Sequence, residues 1–249
     1  MIASFILLGL GIILLCLFLI DKCHKYSVRA TFIKTLVSVC FIGVAVCSWF
    51  YSSKENMNIF GIFVIMGLLF GLLGDILLDY KYVFKEEDTI FTKLGFLVFG
   101  IGHILYIIGM ILCFYRLNDD LIFMYINKFK PIYLWIPFLC AGIFLLAVIL
   151  LEKPMKNNYG KMKPIVLAYS YILALMLCMA GSLAIMYKFN NWTLNFMTIG
   201  GVLFVISDLI LSGTYFSEGK ERPVDIITNT VTYYAAQFFI AFSLLMLIV

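Results

Sequence analysis

Residues 59–80 read IFGIFVIMGLLFGLLGDILLDY, an apolar run whose only charged side chains are those of Asp75 and Asp79. A helix needs about 20 mainly apolar residues to cross the hydrocarbon core of a bilayer, and this run is long enough to do so. A helix that is apolar on every side is typical of a membrane span or a deeply buried core. The stretch therefore predicts a transmembrane helix with two acidic side chains close to its end.

The rest of the chain repeats this pattern. Of the 249 residues, 64% are hydrophobic and 13% are charged, and the mean hydropathy is +1.06, whereas about a quarter of the residues of a soluble domain are charged. This composition excludes a soluble globular enzyme, and a scattered net charge of +4 gives no reason to expect nucleic acid as a partner. We predict an all-α membrane protein, a single polytopic domain over residues 1–249, with eight transmembrane helices near 1–20, 31–51, 59–80, 92–115, 132–151, 164–187, 194–214 and 226–249.

The distribution of Lys and Arg predicts the orientation of this domain. The loops after the first, third, fifth and seventh segments, with their helix margins, hold thirteen of the 18 Lys and Arg residues. Cytoplasmic loops carry the excess of these residues, so both termini are expected outside. The fourth loop, with Arg116, Lys128 and Lys130, runs against the pattern. Residue usage and short loops suit a bacterial inner (plasma) membrane.

Few ionisable side chains lie inside the apolar segments, where each costs about 2.5 to 3.5 kcal/mol and needs a partner or a function. Asp75 and Asp79 lie four residues apart, on one face of the third segment. The fourth segment carries His103 and the seventh carries Asp208. The eighth has polar residues at every fourth position, namely Asp225, Asn229, Tyr233 and Gln237. Glycines adjoin these positions and allow close helix packing, so the polar side chains are expected to face the interior of the bundle.

The predicted orientation gives these groups a depth. Asp75, Asp79 and Asp208 fall in the cytoplasmic halves of their segments, and His103 lies nearer the midplane. Lys34 and Tyr169, near the starts of the second and sixth segments, have a depth similar to that of the carboxylates. We therefore expect one polar cavity that opens toward the cytoplasmic leaflet.

An internal similarity links the two halves of the chain. GDILL around Asp75 resembles SDLIL around Asp208, four segments later. The interval from Asp75 to His103 is 28 residues, and that from Asp208 to Gln237 is 29. Four crossings return the chain to the same side of the membrane, so the similarity is compatible with two parallel four-helix repeats. The alternative is a bundle without internal symmetry.

Several reaction classes can be excluded from the motifs. The chain has two histidines, His24 and His103, and His24 lies in a loop, so a zinc site with two or three His ligands cannot form. The motifs of zinc proteases, serine esterases, nucleotide-driven pumps and dinucleotide-binding folds are absent. We expect no metal ligands and no cofactor, although Asp75, Asp79 and Asp208 could hold Mg²⁺.

Acid–base chemistry by membrane carboxylates remains. If Asp75 and Asp208 face each other in a low-dielectric cavity, they cannot both ionise easily, so one can act as an acid beside the other as a base. A lipid that enters from the leaflet is the natural substrate. The alternative is a proton-coupled transporter, because intramembrane Asp and His also mark proton relays. The oligomeric state stays open.

The motifs and their order resemble the YhhN-like lysoplasmalogenase family of polytopic membrane proteins. The resemblance rests on the GD that ends at Asp75, the GHILY that contains His103, the SD that ends at Asp208 and the YYAAQ of residues 233–237. One departure is Thr35, which follows Lys34 where a Lys-Pro pair is expected. The resemblance implies a hydrolase of lipid metabolism that takes a lysophospholipid substrate from the membrane. It implies cleavage of the vinyl-ether bond of lysoplasmalogens to a fatty aldehyde and glycerophosphoethanolamine or glycerophosphocholine.

Under this hypothesis, protonated Asp75 is the acid, and ionised Asp208 stabilises the cation and activates water, or the two exchange roles. His103 orients water or relays protons, and Asp79 holds His103 or a backbone group. The glycerophospho head group needs a cation and hydrogen-bonding groups. Its expected ligands are Lys34, Tyr169, Asn229, Tyr233 and Gln237.

Overall fold

The computed structural model describes residues 1–24, 28–52, 58–115, 132–217 and 222–248. These residues are almost entirely helical and include no strand, and eight of their helices are long and apolar enough to span a membrane. The prediction of an eight-helix membrane protein is therefore confirmed. The helices are α1 (Ile2–His24), α2 (Val28–Ser52), α3 (Asn58–Val83), α4 (Asp88–Met110), α5 (Ile132–Leu151), α6 (Lys163–Met186), α7 (Trp192–Phe216) and α8 (Pro223–Ser243).

The helices run past the predicted segments at several ends. α4 begins at Asp88 and α8 at Pro223, a few residues before the apolar runs start. Hydropathy detects the part of a helix that fits the hydrocarbon core, whereas polar residues of the interface can continue the same helix. Local signals set the true ends: the Asn191 side chain accepts the Leu194 amide at the start of α7, and a proline opens α8.

Six helices close a ring and two lie outside it. Helices α1 and α2, α3 and α4, α5 and α6, and α7 and α8 pack as consecutive antiparallel hairpins. α2 also packs on α3, α4 on α6, α6 on α7, and α8 on α2, which closes the ring. α1 and α5 pack on the outer sides of α2 and α6 and are the least buried spans.

The order of these contacts repeats every four helices. α4 packs on α6 as α8 packs on α2, and the peripheral helices α1 and α5 occupy equivalent positions. This is the order that two parallel four-helix repeats require. The duplication of sequence around Asp75 and Asp208 stays a prediction.

Glycines bring α3 close to its neighbours. A Cβ atom at Gly67 would overlap the ring of Tyr106 on α4, and one at Gly74 would lie 2.6 Å from the ring of Phe99. The expectation that small residues beside the carboxylates allow close helix packing is thus confirmed for α3.

The structure shows an integral membrane architecture, and the orientation of the termini stays a prediction. The fourth loop, which runs against the predicted orientation, lies outside the described residues with its Arg116, Lys128 and Lys130. Three other basic residues used to predict the orientation also lie outside them: Lys25, Lys54 and Lys220.

Candidate functional site

A cavity of about 220 Å³ lies at the end of the bundle where α1, α3 and α7 end and α2 and α8 begin. It is the end that the Lys and Arg distribution predicts to be cytoplasmic. Seven of the nine predicted site residues line it: Lys34, Asp75, Asp79, Tyr169, Asp208, Asn229 and Tyr233. His103 and Gln237 do not line it. The structure therefore brings most of the predicted site into one polar cavity.

An ionic triad joins α2 to α3. The Lys34 ammonium lies 2.9 Å from Oδ1 of Asp79 and 3.3 Å from Oδ1 of Asp75. All three residues are buried. Asp75 and Asp79 can share this cation because they lie four residues apart, on one face of α3. Removing Lys34 would leave two uncompensated negative charges in the interior.

Asp75 accepts further hydrogen bonds. Its Oδ2 accepts one from the Ser38 hydroxyl at 2.7 Å and one from the Tyr233 hydroxyl at 2.9 Å. The Tyr233 oxygen in turn accepts a hydrogen bond from Nε2 of Gln237 at 2.9 Å. The ammonium group and the two O–H donors favour the ionised carboxylate, and burial opposes it.

Asp208 has a different environment. The Tyr169 hydroxyl of α6 donates a hydrogen bond to its Oδ2. Across the part of the chain that the structure describes, no cation forms an ion pair with Asp208. The two predicted carboxylates of the cavity therefore differ in their charge partners: Asp75 has an ammonium group and Asp208 has a neutral hydroxyl.

Asn229 fixes α8 against α7 next to Asp208. Its Nδ2 donates to the backbone carbonyl of Ser207 at 2.7 Å and lies 3.0 Å from the Ser207 hydroxyl. Asn229 thus lines the cavity while its amide group is bound to the neighbouring helix. Asp225, one turn earlier on α8, pairs with Arg222 at 2.8 Å and does not line the cavity.

His103 lies among aromatic rings. It is 1% exposed, with ring centroids 4.6 Å from Phe204, 5.8 Å from Tyr169 and 5.9 Å from Tyr106. Neither ring nitrogen has a hydrogen-bond partner among the described residues. The expectation that Asp79 holds His103 is wrong, because the Asp79 carboxylate binds Lys34. His103 contacts the rings of Tyr169 and Phe204, and both of these residues line the cavity.

Gln237 does not line the cavity and contacts a residue that does. Its Nε2 reaches Tyr233, and its Oε1 has no partner within the described residues. A Cβ atom at Gly71 would lie 2.8 Å from this Nε2, so the glycine leaves room for the amide group. Gln237 therefore positions Tyr233, and a bound head group in the cavity would meet Tyr233 first.

The structure adds residues that sequence reasoning missed. Ser38 binds Asp75, and Lys22, Thr214, Tyr215 and Tyr234 line the cavity. Ser38 could have been predicted as a site residue, because it lies four residues after Lys34 and so shares its helix face. Nothing in the sequence marked Lys22 as a site residue, because a lysine at a helix end is usually only an interfacial residue.

The possible Mg²⁺ site has no support in the arrangement of the carboxylates. Lys34 lies between Asp75 and Asp79, in the position that a bridging cation would take. Among the residues with described positions, no group of three His, Cys, Asp or Glu side chains is arranged to hold a metal ion.

The fold and the cavity together define a polytopic membrane protein with a buried, carboxylate-lined site near one face of the membrane. The sequence profile of the YhhN family matches residues 29–244, and the chain belongs to this family. The match covers α2 to α8 and every residue of the predicted site. Searches of curated proteins and of solved structures found no match.

Proposed function

We propose that the protein is a membrane hydrolase that cleaves the vinyl-ether bond of lysoplasmalogens. The observation that carries the proposal is the contrast between Asp75 and Asp208, two carboxylates that line one cavity. Asp75 lies beside an ammonium group and two hydroxyl donors, whereas Asp208 accepts a hydrogen bond from one tyrosine. Family membership supports a role of this kind, and the resemblance noted in the sequence names the substrate.

The reaction needs an acid, an anion and water. A proton is added to the β-carbon of the vinyl ether, and the positive charge that forms is shared by the α-carbon and the ether oxygen. Water adds to the α-carbon and loses a proton, which gives a hemiacetal. The hemiacetal hydroxyl then loses its proton as the bond to the glycerol oxygen breaks, and the glycerol oxygen takes up a proton. A fatty aldehyde and a free glycerol hydroxyl are released. One water is consumed and no electrons are transferred.

The geometry favours Asp208 as the acid and Asp75 as the anion, the second of the two assignments left open by the sequence. The Tyr169 hydroxyl donates to Oδ2 of Asp208, which leaves Oδ1 to carry the acidic proton. Asp75 is engaged by Lys34, Ser38 and Tyr233, so it is held in place as a fixed negative charge. Fixed charges that face the developing cation lower the barrier most effectively when they need no reorientation.

The ionic triad supplies the net charge for this role. With Lys34 protonated and with Asp75 and Asp79 ionised, the triad carries one negative charge in excess. In a buried site that excess charge is costly until a positive charge forms nearby. The cationic intermediate is such a charge, so the triad stabilises it more than it stabilises the neutral substrate.

The cavity suits a polar head group better than a complete lipid. A volume of about 220 Å³ is smaller than the ~300 to 1,000 Å³ of most small-molecule pockets. We assign the phosphate to Lys22, which lines the cavity near the end of α1. Asn229 and Tyr233 line the same cavity and remain ligands of the head group in this proposal.

His103 acts in this proposal as a positioning residue. It contacts the rings of Tyr169 and Phe204 and does not reach the cavity. It holds the ring of the tyrosine that binds Asp208. Its effect on turnover is therefore indirect.

Aldehyde release from a lysoplasmenyl lipid tests the proposal. Purified protein in detergent is given lysoplasmenyl-ethanolamine, and the ester-linked lysophospholipid serves as the control substrate, each with and without a chelator. We expect aldehyde from the vinyl ether alone, in amounts that the chelator does not change. Folded protein that releases no aldehyde would overturn the proposal and favour the proton-coupled transporter, which a liposome flux assay would then examine.

A further inference from the structure

A second cavity, of about 160 Å³, lies beneath the peripheral helix α5. Residues of α5, α6 and α7 line it, among them Ala147, Val148, Leu173 and Val205. Leu209 lines it as well and is 44% exposed, which places one side of the cavity at the outer surface of the bundle. A molecule in the lipid layer can therefore reach this space between α5 and α7.

Three of the polar side chains that line this cavity are paired with one another. Nδ2 of Asn157 lies 3.2 Å from the Tyr159 hydroxyl and 3.3 Å from the Ser212 hydroxyl. These three side chains satisfy one another at one end of the cavity, and most of the remaining lining is aliphatic or aromatic. An occupant without hydrogen-bonding groups thus leaves these three side chains paired as they are.

The second cavity shares a wall with the polar cavity. Phe96, Tyr169, Asp208 and Leu211 line both. The hydrogen bond from Tyr169 to Asp208 lies in this shared wall. Asp208, the candidate acid, therefore lies where the polar cavity and the apolar cavity meet.

We infer that the cavity beneath α5 binds the first methylene groups of a single hydrocarbon chain, whose head group occupies the polar cavity. The inference rests on the proposed function and extends it to a chain site. In a lysoplasmalogen the vinyl ether is the junction between the glycerol and the chain. With the head group in one cavity and the chain in the other, that junction lies beside Asp208, where the β-carbon must receive its proton.

The role of the chain site is positioning. A chain in the bilayer is already surrounded by hydrocarbon, so transfer into the cavity yields little hydrophobic free energy. The benefit is that the reacting carbons are held beside the acid, and a misplacement of about 1 Å can cost a hundredfold in rate. The volume of the cavity, about 160 Å³, is below the ~300 to 1,000 Å³ of pockets that hold a whole small molecule, so it accommodates only the start of a chain.

Photolabelling tests this inference directly. The probe is a saturated alkyl-ether lysophosphoethanolamine with a diazirine on its chain near the ether, which the proposed hydrolysis cannot cleave. We expect labels on residues 144–151 of α5 and 166–173 of α6, and we expect unlabelled alkyl-ether lipid to compete them away. Labels that competitor does not reduce, or that lie mainly on the lipid-facing side of α1, would overturn the inference.

A matched pair of variants locates the chain. Ala147→Trp fills the cavity, whereas Leu146→Trp adds the same ring at the neighbouring position of α5, which is 54% exposed and does not line the cavity. We expect Ala147→Trp to lose the competed labels and to slow aldehyde release by about tenfold to a hundredfold, and Leu146→Trp to keep both. Equal labelling of the two variants would overturn the inference.

The two proposals can fail separately. Competed labels beneath α5 without aldehyde release would support the chain site and reject vinyl-ether hydrolysis. Aldehyde release with labels elsewhere would reject the chain site and leave hydrolysis intact. Since competition is measured on the unmodified protein, the result does not depend on whether Ala147→Trp folds.

Discussion

The Lys34 ammonium donates a hydrogen bond of 2.9 Å to Oδ1 of Asp79. Lys34 lies on α2 and Asp79 near the end of α3, so the pair ties two helices together at the rim of the polar cavity. The same ammonium lies 3.3 Å from Asp75, which joins this structural contact to the candidate catalytic anion.

Lys34→Met should therefore destabilise the protein strongly. It leaves two buried carboxylates without their cation, and breaking a buried pair in this way costs about 3 to 5 kcal/mol. Adding Asp79→Asn should recover part of the loss, because the double variant has one fewer unpaired charge. Thermal unfolding in detergent measures both effects, and Lys161→Met, at an exposed position, is the control. A midpoint for Lys34→Met equal to that of the control would contradict the role of the triad.

Asp208→Asn should abolish turnover without unfolding the protein. The amide oxygen can still accept the Tyr169 hydroxyl, but the acidic proton is lost, and general acid catalysis contributes about 10² to 10⁴ in rate. Asp75→Asn should also lose turnover, with an added loss of stability because the new NH2 group would face either the Lys34 ammonium or the hydroxyl donors of Ser38 and Tyr233. Aldehyde release and thermal unfolding separate the two variants. Asp225→Asn, outside the cavity, is the control, and an active Asp208→Asn would remove Asp208 from the mechanism.

Tyr233→Phe should lower turnover by about tenfold, the effect of about 1.4 kcal/mol lost from one hydrogen bond to a charged group. The variant removes the 2.9 Å bond to Asp75 and the acceptor of Gln237, while the ring stays. The measurement is kcat for aldehyde release. Tyr187→Phe removes a tyrosine hydroxyl from the far end of α6 and should match the wild type. If both variants behave alike, Tyr233 does not act through Asp75.

Gly67→Ala should destabilise the bundle by about 1 to 3 kcal/mol, as overpacking does. The added methyl group would overlap the Tyr106 ring on the neighbouring helix α4. Gly142→Ala is the matched control, because no atom lies within 4 Å of the added methyl group. It should be neutral or stabilising, since alanine is the better helix former. Thermal unfolding in detergent measures both variants. Equal midpoints for the two would contradict close packing of α3 on α4.

His103→Phe should reduce turnover less than either aspartate variant. Its ring touches Phe204 and Tyr169 but lies outside the lining of the cavity, and a phenyl ring preserves most of that packing. We expect a loss of about tenfold, against at least a hundredfold for a removed general acid. Comparing kcat of the variants checks this order. A loss as large as that of Asp208→Asn would contradict the positioning role and indicate that His103 takes part directly in proton transfer.

Much of the site was accessible from spacing. The four-residue interval between Asp75 and Asp79 placed both on one face of α3, and the Lys and Arg distribution put Lys34, Tyr169 and Asp208 at one depth. Helix periodicity and burial cost act within a single segment, so one sequence reveals them. The eight spans followed for the same reason, with errors confined to helix ends, where hydropathy no longer reports the structure.

The partners of each group depended on the packing of separate segments. Spacing could not tell that Lys34 binds Asp75 and Asp79, that Tyr169 rather than a cation meets Asp208, or that Asp79 does not reach His103. Such contacts join helices far apart in sequence, and rotating one helix by a single residue would exchange them.

Eight membrane spans and a small set of buried polar groups can be predicted from the order of residues, because the bilayer sets segment length and penalises each charge locally. Helix packing settles which carboxylate faces an ammonium group and which faces a tyrosine, and it makes two cavities meet at Asp208. The closure of six helices into a ring, with α1 and α5 outside, creates those juxtapositions, and no property of a single segment contains them.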